Sequence, residues 1–148
     1  MAKALSIVGF SGSGKTELIC RLLDWLVRRG LKVAVLKHTH HDDLGDQGKD
    51  TWRFRQAGAR AVALAAPGLL QVSHAFPEEP PLPMILASLN PEVDLILVEG
   101  YKSGPLPKIV VLHPRTEKRL PDLTQVIALV GPESAAAAVP VFQPDEVE

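Results

Sequence analysis

The sequence has little that would support disulfide bonding, base stacking or a general attraction to polyanions. Cys20 is the single cysteine, so no internal disulfide can form, which suits a reducing compartment; we expect it to be a small packed residue. Aromatic residues make up only 5% of the chain, which argues against the stacked aromatic platforms that hold single-stranded nucleic acid. Sixteen Lys and Arg residues are balanced by seventeen Asp and Glu residues, so the basic excess of a nucleic-acid or anionic-membrane binder is missing.

Long hydrophobic runs are also missing. The longest uncharged stretch, 61–77, is broken by Pro67, Gly68 and three polar residues, and falls short of the roughly 18 continuous apolar residues of a membrane-spanning helix. The apolar run near the N-terminus is too short for a signal peptide. With 148 residues, of which 46% are apolar and 22% charged, we expect one cytoplasmic domain over 1–148 that binds neither membranes nor nucleic acids.

Short apolar runs alternate with helical periodicity along the chain. The run 93–98 is almost continuously apolar, as in a strand that is buried on both faces of a parallel sheet. The proline-rich segment 77–83 is interpreted as a surface connection within the domain. The alternation predicts an α/β fold with a mostly parallel sheet flanked by helices. Strands are predicted over 5–8, 31–36, 61–66, 69–75, 93–98, 109–112 and 126–130, and helices over 15–29, from about 50, over 84–89 and weakly over 135–138.

A glycine-rich loop between the first strand and the first helix carries the strongest functional signal. Glycines allow successive backbone N–H groups to turn toward phosphate oxygens, and the helix N-terminus adds partial positive charge. Lys15 supplies a charge for the β- and γ-phosphates, and the Thr16 hydroxyl can bind Mg²⁺. The loop predicts a P-loop NTPase fold that binds a nucleotide, because the sequence Gly9-Phe10-Ser11-Gly12-Ser13-Gly14-Lys15-Thr16 fits the pattern G-x-x-x-x-G-K-[ST].

A P-loop site usually takes a second Mg²⁺ contact from a carboxylate at the end of another strand. Asp94 begins the buried 93–98 strand and Glu99 follows its end. Because ligands bind at the carboxyl ends of parallel strands, Glu99 is the predicted metal residue. Asp50 opens a later helix, where it either caps the helix or adds another carboxylate around Mg²⁺.

The segment 37–43 follows the second strand, so it also lies at the carboxyl edge of the predicted sheet. Its three histidines and two aspartates leave three interpretations open: a transition-metal site, a contact to substrate or phosphate, or a merely polar loop. Lys37 is the better phosphate candidate. Arg53, Arg55 and Arg60 are interpreted mainly as solvated helix charges rather than phosphate clamps.

Several motifs in this order resemble the molybdopterin-guanine dinucleotide biosynthesis protein B family, small P-loop proteins of the molybdenum cofactor pathway. The resemblance covers about residues 3–112, and the lysine-histidine and glutamate-glycine motifs make it specific. The motifs are the 9–16 loop, Lys37-His38-Thr39-His40-His41-Asp42, Gly48-Lys49-Asp50, Ala57-Gly58-Ala59 and Val98-Glu99-Gly100-Tyr101-Lys102.

The resemblance implies GTP and Mg²⁺ as cofactors, weak GTPase activity, and homodimers. It also implies partnership with the guanylyltransferase that attaches GMP to molybdopterin, and hence contact with molybdopterin or the molybdenum cofactor. By the same resemblance, residues 9–16 hold phosphates, and the loop of residues 37–42 faces the nucleotide or cofactor, with Lys37 and His38 as its candidate binding residues. Thr16, Glu99 and Asp50 organise Mg²⁺, and Lys15 and Lys37 are the candidate catalytic lysines.

The identity of the base follows from the resemblance alone, because the sequence has no N-K-x-D motif that would read guanine. Asp145 is a carboxylate that can accept hydrogen bonds from guanine. Two alternative functions stay open. One is an ATP-dependent enzyme of the dethiobiotin synthetase type, in which Lys15 and Lys37 clamp a transferred phosphoryl group. The other is a metallochaperone GTPase, in which the 37–43 segment carries a metal.

Overall fold

The computed structural model describes residues 2–41, 44–89, 92–113, 123–132 and 138–146. The predicted weak helix over 135–138 and the aspartates Asp42 and Asp43 therefore lie wholly or largely outside the described residues. The chain divides into two compact units, one formed by Met1–His38 with Leu86–Glu148 and the other by Thr39–Ile85. In chain order the elements are β1 (Lys3–Val8), α1 (Lys15–Arg28), β2 (Val33–Lys37), α2 (Asp50–Gln56), β3 (Ala61–Ala66), β4 (Leu69–His74), α3 (Leu82–Ser88), β5 (Leu95–Glu99), β6 (Lys108–Val111), β7 (Val126–Val130) and β8 (Val141–Phe142).

The larger unit is built on a six-stranded sheet with the order β2-β5-β1-β6-β7-β8, and every pairing within it is parallel. Residues 96–98 of β5 are all buried, which confirms the prediction that the apolar run 93–98 contains a strand buried on both faces; residues 6–8 of β1 are buried beside it. Since all six strands point the same way, the residues that follow β1, β2 and β5 meet at one edge. In the β2–β5 pair, Lys37 lies directly opposite Glu99.

Helix α1 covers this sheet with its apolar face. Leu18 and Ile19 are buried against Ile7, Leu97 and Val111 of three neighbouring strands. The helix ends where predicted, because Gly30 adopts a positive φ of 82° and its N–H donates to the Val27 carbonyl. Packing of α1 on β1 and β5 fixes the position of the predicted phosphate loop, which connects β1 to α1.

The smaller unit contains α2 and an antiparallel hairpin of β3 and β4, which form their own two-stranded sheet. The predicted turn at Pro67 and Gly68 connects these two strands, and Gly68 adopts the left-handed φ of 76° that the turn requires. This hairpin lies between β2 and β5 in the chain, so it interrupts the sequence of the parallel sheet. Among the described helices, none has the length and apolar character needed to cross a bilayer.

The structure corrects the sequence-based description at Cys20, at the start of the second strand and at the last strand. Cys20 is exposed, not packed, because it lies on the opposite side of α1 from Leu18 and Leu22. The second strand begins at Val33 and not at residue 31, because the Leu31 N–H still donates to the Leu26 carbonyl at the end of α1. The short edge strand β8 was not predicted, since two residues are too few for an alternation pattern.

Candidate functional site

The loop between β1 and α1 depends on glycine at three positions. A Cβ on Gly9 would lie 2.6 Å from the Val111 carbonyl oxygen, so the neighbouring strand β6 leaves no room for a side chain. Gly12 and Gly14 have φ values of 75° and 94°, in the left-handed region that strongly favours glycine. The motif residues are therefore explained by close packing at the first glycine and by backbone conformation at the other two.

This loop borders a cavity of about 540 Å³ at the carboxyl edge of the sheet. Predicted residues from three separate chain segments meet there. The sequence indicated this meeting only through the rule that the carboxyl ends of parallel strands lie at one edge of the sheet. Among the predicted residues, the buried Ser13 hydroxyl has no hydrogen-bond partner within the described part of the chain. Gly9 and Phe10 support the loop without lining the cavity. The lining residues are Ser11, Gly12, Gly14, Lys15, Thr16, Glu17, Lys37 and Glu99.

Lys15 is held inside the loop that precedes it. Its Nζ donates a hydrogen bond of 2.7 Å to the Phe10 carbonyl, which bends the side chain back over the loop. Partial burial lowers the pKa of Lys15, Glu99 opposes that shift, and the positive charges of Lys102 and Lys37 add to it. The ammonium group therefore lacks full compensation, and an anion bound in the cavity would stabilise its charged form.

Thr16 and Glu99 approach each other across the edge of the sheet. The Thr16 hydroxyl donates to Glu99 Oε2 at 3.4 Å. Two oxygens that share an octahedral Mg²⁺ ion as adjacent ligands lie about 2.9 Å apart, since each Mg–O distance is about 2.0–2.1 Å. A small side-chain movement would bring both oxygens to that spacing, so the pair fits the donor set of Mg²⁺.

The ends of β2 and β5 are joined by backbone and ring contacts. The His38 N–H donates to the Glu99 carbonyl at 2.9 Å, and the His38 ring lies 4.3 Å from the Tyr101 ring between centroids. Gly100 and Tyr101 both have positive φ, 109° and 54°. Positive φ in a tyrosine is strained, and such strain is concentrated at functional sites. His38 is thus packed beside the edge, and it does not line the cavity itself.

The sequence analysis assigned no role to two residues near the loop, Lys102 and His113. The Lys102 Nζ lies 5.6 Å from the centroid of the Phe10 ring, and its charge reaches Lys15. A methyl group on Gly12 would lie 3.8 Å from His113 Nε2. Both residues follow the ends of parallel strands, so the carboxyl-edge rule, applied two or three residues beyond each strand, would have found them.

Other predicted site residues belong to the smaller unit. Asp50 is the first residue of α2 and not its cap, which is Lys49, so the capping interpretation was wrong. It forms an exposed ion pair of 3.8 Å with Arg53. The His41 N–H donates to the Thr39 hydroxyl at 3.1 Å. Within the described ranges, no three His, Cys, Asp or Glu residues are grouped so that they could hold a metal ion.

Arg55 was interpreted as a solvated helix charge, and this was wrong. Its side chain is only 16% exposed and forms two hydrogen bonds to the Asp46 carboxylate, whereas the Arg53 side chain is 72% exposed. Hydrogen bonds from Arg55 and then from Thr51 lower the pKa of Asp46 to about 2. This bidentate pair, together with the Thr51 bond, ties α2 to the loop that precedes it.

Comparison with known proteins agrees with this geometry. The family model of MobB, described as molybdopterin guanine dinucleotide synthesis protein B, matches residues 4–132. The chain belongs to this family. A molybdopterin-guanine dinucleotide biosynthesis adapter protein of Haemophilus influenzae is 38% identical over 133 residues, which cover 86% of this chain and 72% of that protein. A probable adapter protein of the same description from Bacillus subtilis is 31% identical over 149 residues, 96% of this chain and 86% of that protein.

Solved structures of the family share the architecture. The crystal structure of Bacillus subtilis MobB superposes with a TM-score of 0.80 at 30% identity, covering 97% of this chain and 91% of that one. A MobB homologue from Bacillus stearothermophilus gives a TM-score of 0.73 at 32% identity, covering 95% of this chain and 87% of that one. The predicted α/β fold of the P-loop NTPase type, with a mostly parallel sheet flanked by helices, is confirmed.

Proposed function

We propose that this chain is an accessory protein of molybdopterin guanine dinucleotide biosynthesis that binds GTP with Mg²⁺ and assists the guanylyltransferase that attaches GMP to molybdopterin. Membership of the MobB family and the names of the adapter proteins it is similar to support the pathway. The observation that carries the nucleotide assignment is the meeting of Lys15, Thr16, Lys37 and Glu99 at one cavity. Phosphates require inward N–H groups and cations, and Mg²⁺ requires oxygen ligands; this cavity offers both.

The roles of the individual residues follow from their positions. Backbone N–H groups of 9–16 and the start of α1 surround the phosphates, and Lys15 and Lys37 neutralise the β- and γ-phosphates. Thr16 and Glu99 would hold Mg²⁺, which would supply positive charge to offset that of the phosphates. His38 lies behind this set, beside Tyr101. Asp50 is proposed as a further carboxylate of the Mg²⁺ shell on the strength of the family resemblance.

The same cavity supports slow hydrolysis rather than rapid turnover. Its lining residues include lysines for ground-state charge, but no arginine or glutamine lies among them in the described part of the chain. Fast phosphoryl transfer needs a positioned water and an added cation on the developing charge. We therefore propose weak GTPase activity in which Lys15 and Lys37 act and a partner supplies what is missing.

The assembly is proposed to be a cytoplasmic homodimer that also contacts molybdopterin or the molybdenum cofactor. Apolar exposure on the β3–β4 hairpin supports self-association, since Leu69 and Leu70 are 75% and 70% exposed.

We also propose that residues 1–148 work as one nucleotide-binding domain. The larger unit completes its sheet only by joining segments on both sides of 39–85, so the smaller unit is an insertion within it.

Isothermal titration of the purified chain with GTP and ATP, with and without Mg²⁺, tests this proposal. GTP should bind more tightly than ATP, and Lys15→Ala should reduce GTP affinity by roughly 2–4 kcal/mol, because a charge-assisted phosphate contact is lost. Lys3→Ala is the matched control, since Lys3 is an exposed lysine at the opposite end of β1. Unchanged GTP affinity in a folded Lys15→Ala variant would refute the site. A preference for ATP with rapid turnover would instead favour the synthetase-type alternative.

A further inference from the structure

Lys108, the first residue of β6, is fully buried, with 0% of its surface exposed. Burial of a lysine is costly unless its ammonium group finds partners. Its Nζ donates to three backbone carbonyls, those of Gly104 at 2.7 Å, Leu106 at 2.9 Å and Thr124 at 3.0 Å. An ammonium group has three donors, so all of them are used. The partners lie before β6 and before β7, so one side chain joins two connecting segments.

The segment that Lys108 anchors starts at the candidate site. Residues 100–107, here called the crossover, leave the carboxyl end of β5 and return to the amino end of β6 without a helix. Its two ends are fixed on β1, because the Gly100 N–H donates to the Ile7 carbonyl and the Ser6 N–H donates to the Pro107 carbonyl. Between them, the Gly104 N–H donates to the Tyr101 carbonyl at 3.0 Å. Gly104 is therefore hydrogen-bonded both to Lys108 and to the strained Tyr101, so it links the two residues.

Lys102 follows Tyr101, and its side chain lies beside Phe10 of the phosphate loop, next to but not among the residues that line the cavity. Its Nζ lies 5.6 Å from the Phe10 ring, and the Phe10 carbonyl is the acceptor for Lys15. Lys15, Lys37 and Lys102 thus place three positive charges near Glu99, whereas Glu17, the other acid that borders the cavity, is paired with Arg21. Such an excess of positive charge matches a polyphosphate ligand better than a singly charged anion.

We propose that Lys102 is a third cation for the nucleotide polyphosphate, and that Lys108 is the positioning residue that holds the crossover so that Lys102 faces the phosphate loop. The inference rests on the nucleotide site proposed above. Without the three hydrogen bonds from Lys108, the turn at 101–104 is no longer anchored. The exposed Lys102 side chain would then adopt many orientations, of which only some face the phosphate loop. Positioning of a charged side chain saves the entropy of ordering it when the ligand binds.

A double-mutant cycle on GTP affinity tests both parts. We expect Lys102→Ala to weaken GTP binding about tenfold, as for loss of a charge-assisted phosphate contact. Lys108→Met, which keeps the length and apolar stem of the side chain, should cause a loss of similar size. In the Lys102→Ala background, Lys108→Met should add less than about twofold, because its effect passes through Lys102. Additive losses in the double variant, or a loss of less than twofold for Lys102→Ala, would overturn the proposal.

Two controls separate positioning from general instability. Val130→Ala removes buried volume from β7, so it should lower the melting temperature with GTP affinity unchanged. A Lys108→Met variant that behaves in the same way would also overturn the positioning role. If Lys108→Met does not fold, Lys108→Gln, which removes the charge and cannot make all three carbonyl bonds, takes its place in the cycle with the same criteria.

Lys15→Ala distinguishes failure of this inference from failure of the nucleotide site. If Lys15→Ala abolishes GTP binding and Lys102→Ala changes it by less than twofold, only the role of Lys102 and Lys108 is wrong. If Lys15→Ala leaves GTP affinity unchanged, the nucleotide site is wrong, and this inference is wrong with it.

Discussion

Replacement of Glu99 by glutamine should separate Mg²⁺-dependent binding from nucleotide binding itself. Glutamine keeps the shape of the side chain and its hydrogen bond with Thr16, which is 3.4 Å long, but removes the negative charge. A carboxylate that touches a metal ion directly or through its water shell contributes about 10–100-fold to metal affinity. We therefore expect GTP affinity in the presence of Mg²⁺ to fall by about 10–100-fold, or about 1.4–2.7 kcal/mol.

Binding of GTP without Mg²⁺ should not be weakened by the same replacement. Glu99 is the negative charge that opposes the lowering of the pKa of Lys15, so it lies close enough to influence charges in the cavity. Its removal also removes repulsion toward phosphate oxygens, and the affinity for GTP in EDTA should be unchanged or slightly higher. Titration of GTP across a range of Mg²⁺ concentrations measures both effects in one experiment.

Glu17→Gln is the matched control for this experiment. Glu17 also borders the cavity, but it is exposed and pairs with Arg21 at 2.9 Å on the surface of α1. Its replacement should change neither binding constant by more than about twofold, since exposed pairs contribute little. Equal losses for Glu99→Gln with and without Mg²⁺, or an effect of Glu17→Gln as large as that of Glu99→Gln, would refute the metal role.

Two further predictions concern acid stability and turnover. Because the pKa of Asp46 is lowered to about 2, its contribution to folding is complete above its usual pKa of 3.8 and is lost as the pH falls from about 4 to 2. Denaturation at pH 6 and pH 3 should therefore show a smaller acid loss in Arg55→Met than in the original chain, and equal losses would contradict the pairing. The purified chain alone should hydrolyse GTP at about 10⁻⁴ to 10⁻² s⁻¹. Turnover of about 1 s⁻¹ or faster without a partner would show instead that the cavity is a self-sufficient catalyst.

The fold was largely predictable because most of it follows local rules. The apolar runs of β1 and β5, the face of α1 and the loop of 9–16 each have a pattern that extends over neighbouring residues. Glu99 was found because the end of a buried strand is visible in the sequence. Parallel strands then bring such ends together without further information.

The features that sequence analysis did not predict depend on contacts with residues outside their own helix or strand. A lysine at the first position of a strand, such as Lys108, is expected to be exposed to solvent. Its burial is possible only because Thr124 and the crossover supply carbonyl oxygens. Arg55 is buried because Asp46, nine residues earlier, returns to it through a loop. Lys102 follows the end of β5, where the carboxyl-edge rule could have indicated it, but its contact with Phe10 depends on a positive φ at Tyr101 that tyrosine does not favour. Burial of a charge is thus decided by its partners and not by its neighbours in the sequence.

The position of the smaller unit between β2 and β5 also affects the order of folding. Val33 pairs with Leu95, so this strand pair joins positions about 60 residues apart. Closing a flexible loop of that length costs on the order of 4 kcal/mol in chain entropy, whereas the β3–β4 hairpin closes through a short turn. Prior formation of the hairpin shortens the free chain that β2 and β5 must close. The entropy cost of bringing Lys37 to Glu99 is therefore smaller once the hairpin has formed, and we expect nucleotide added during refolding to bind only chains in which β2 and β5 have paired.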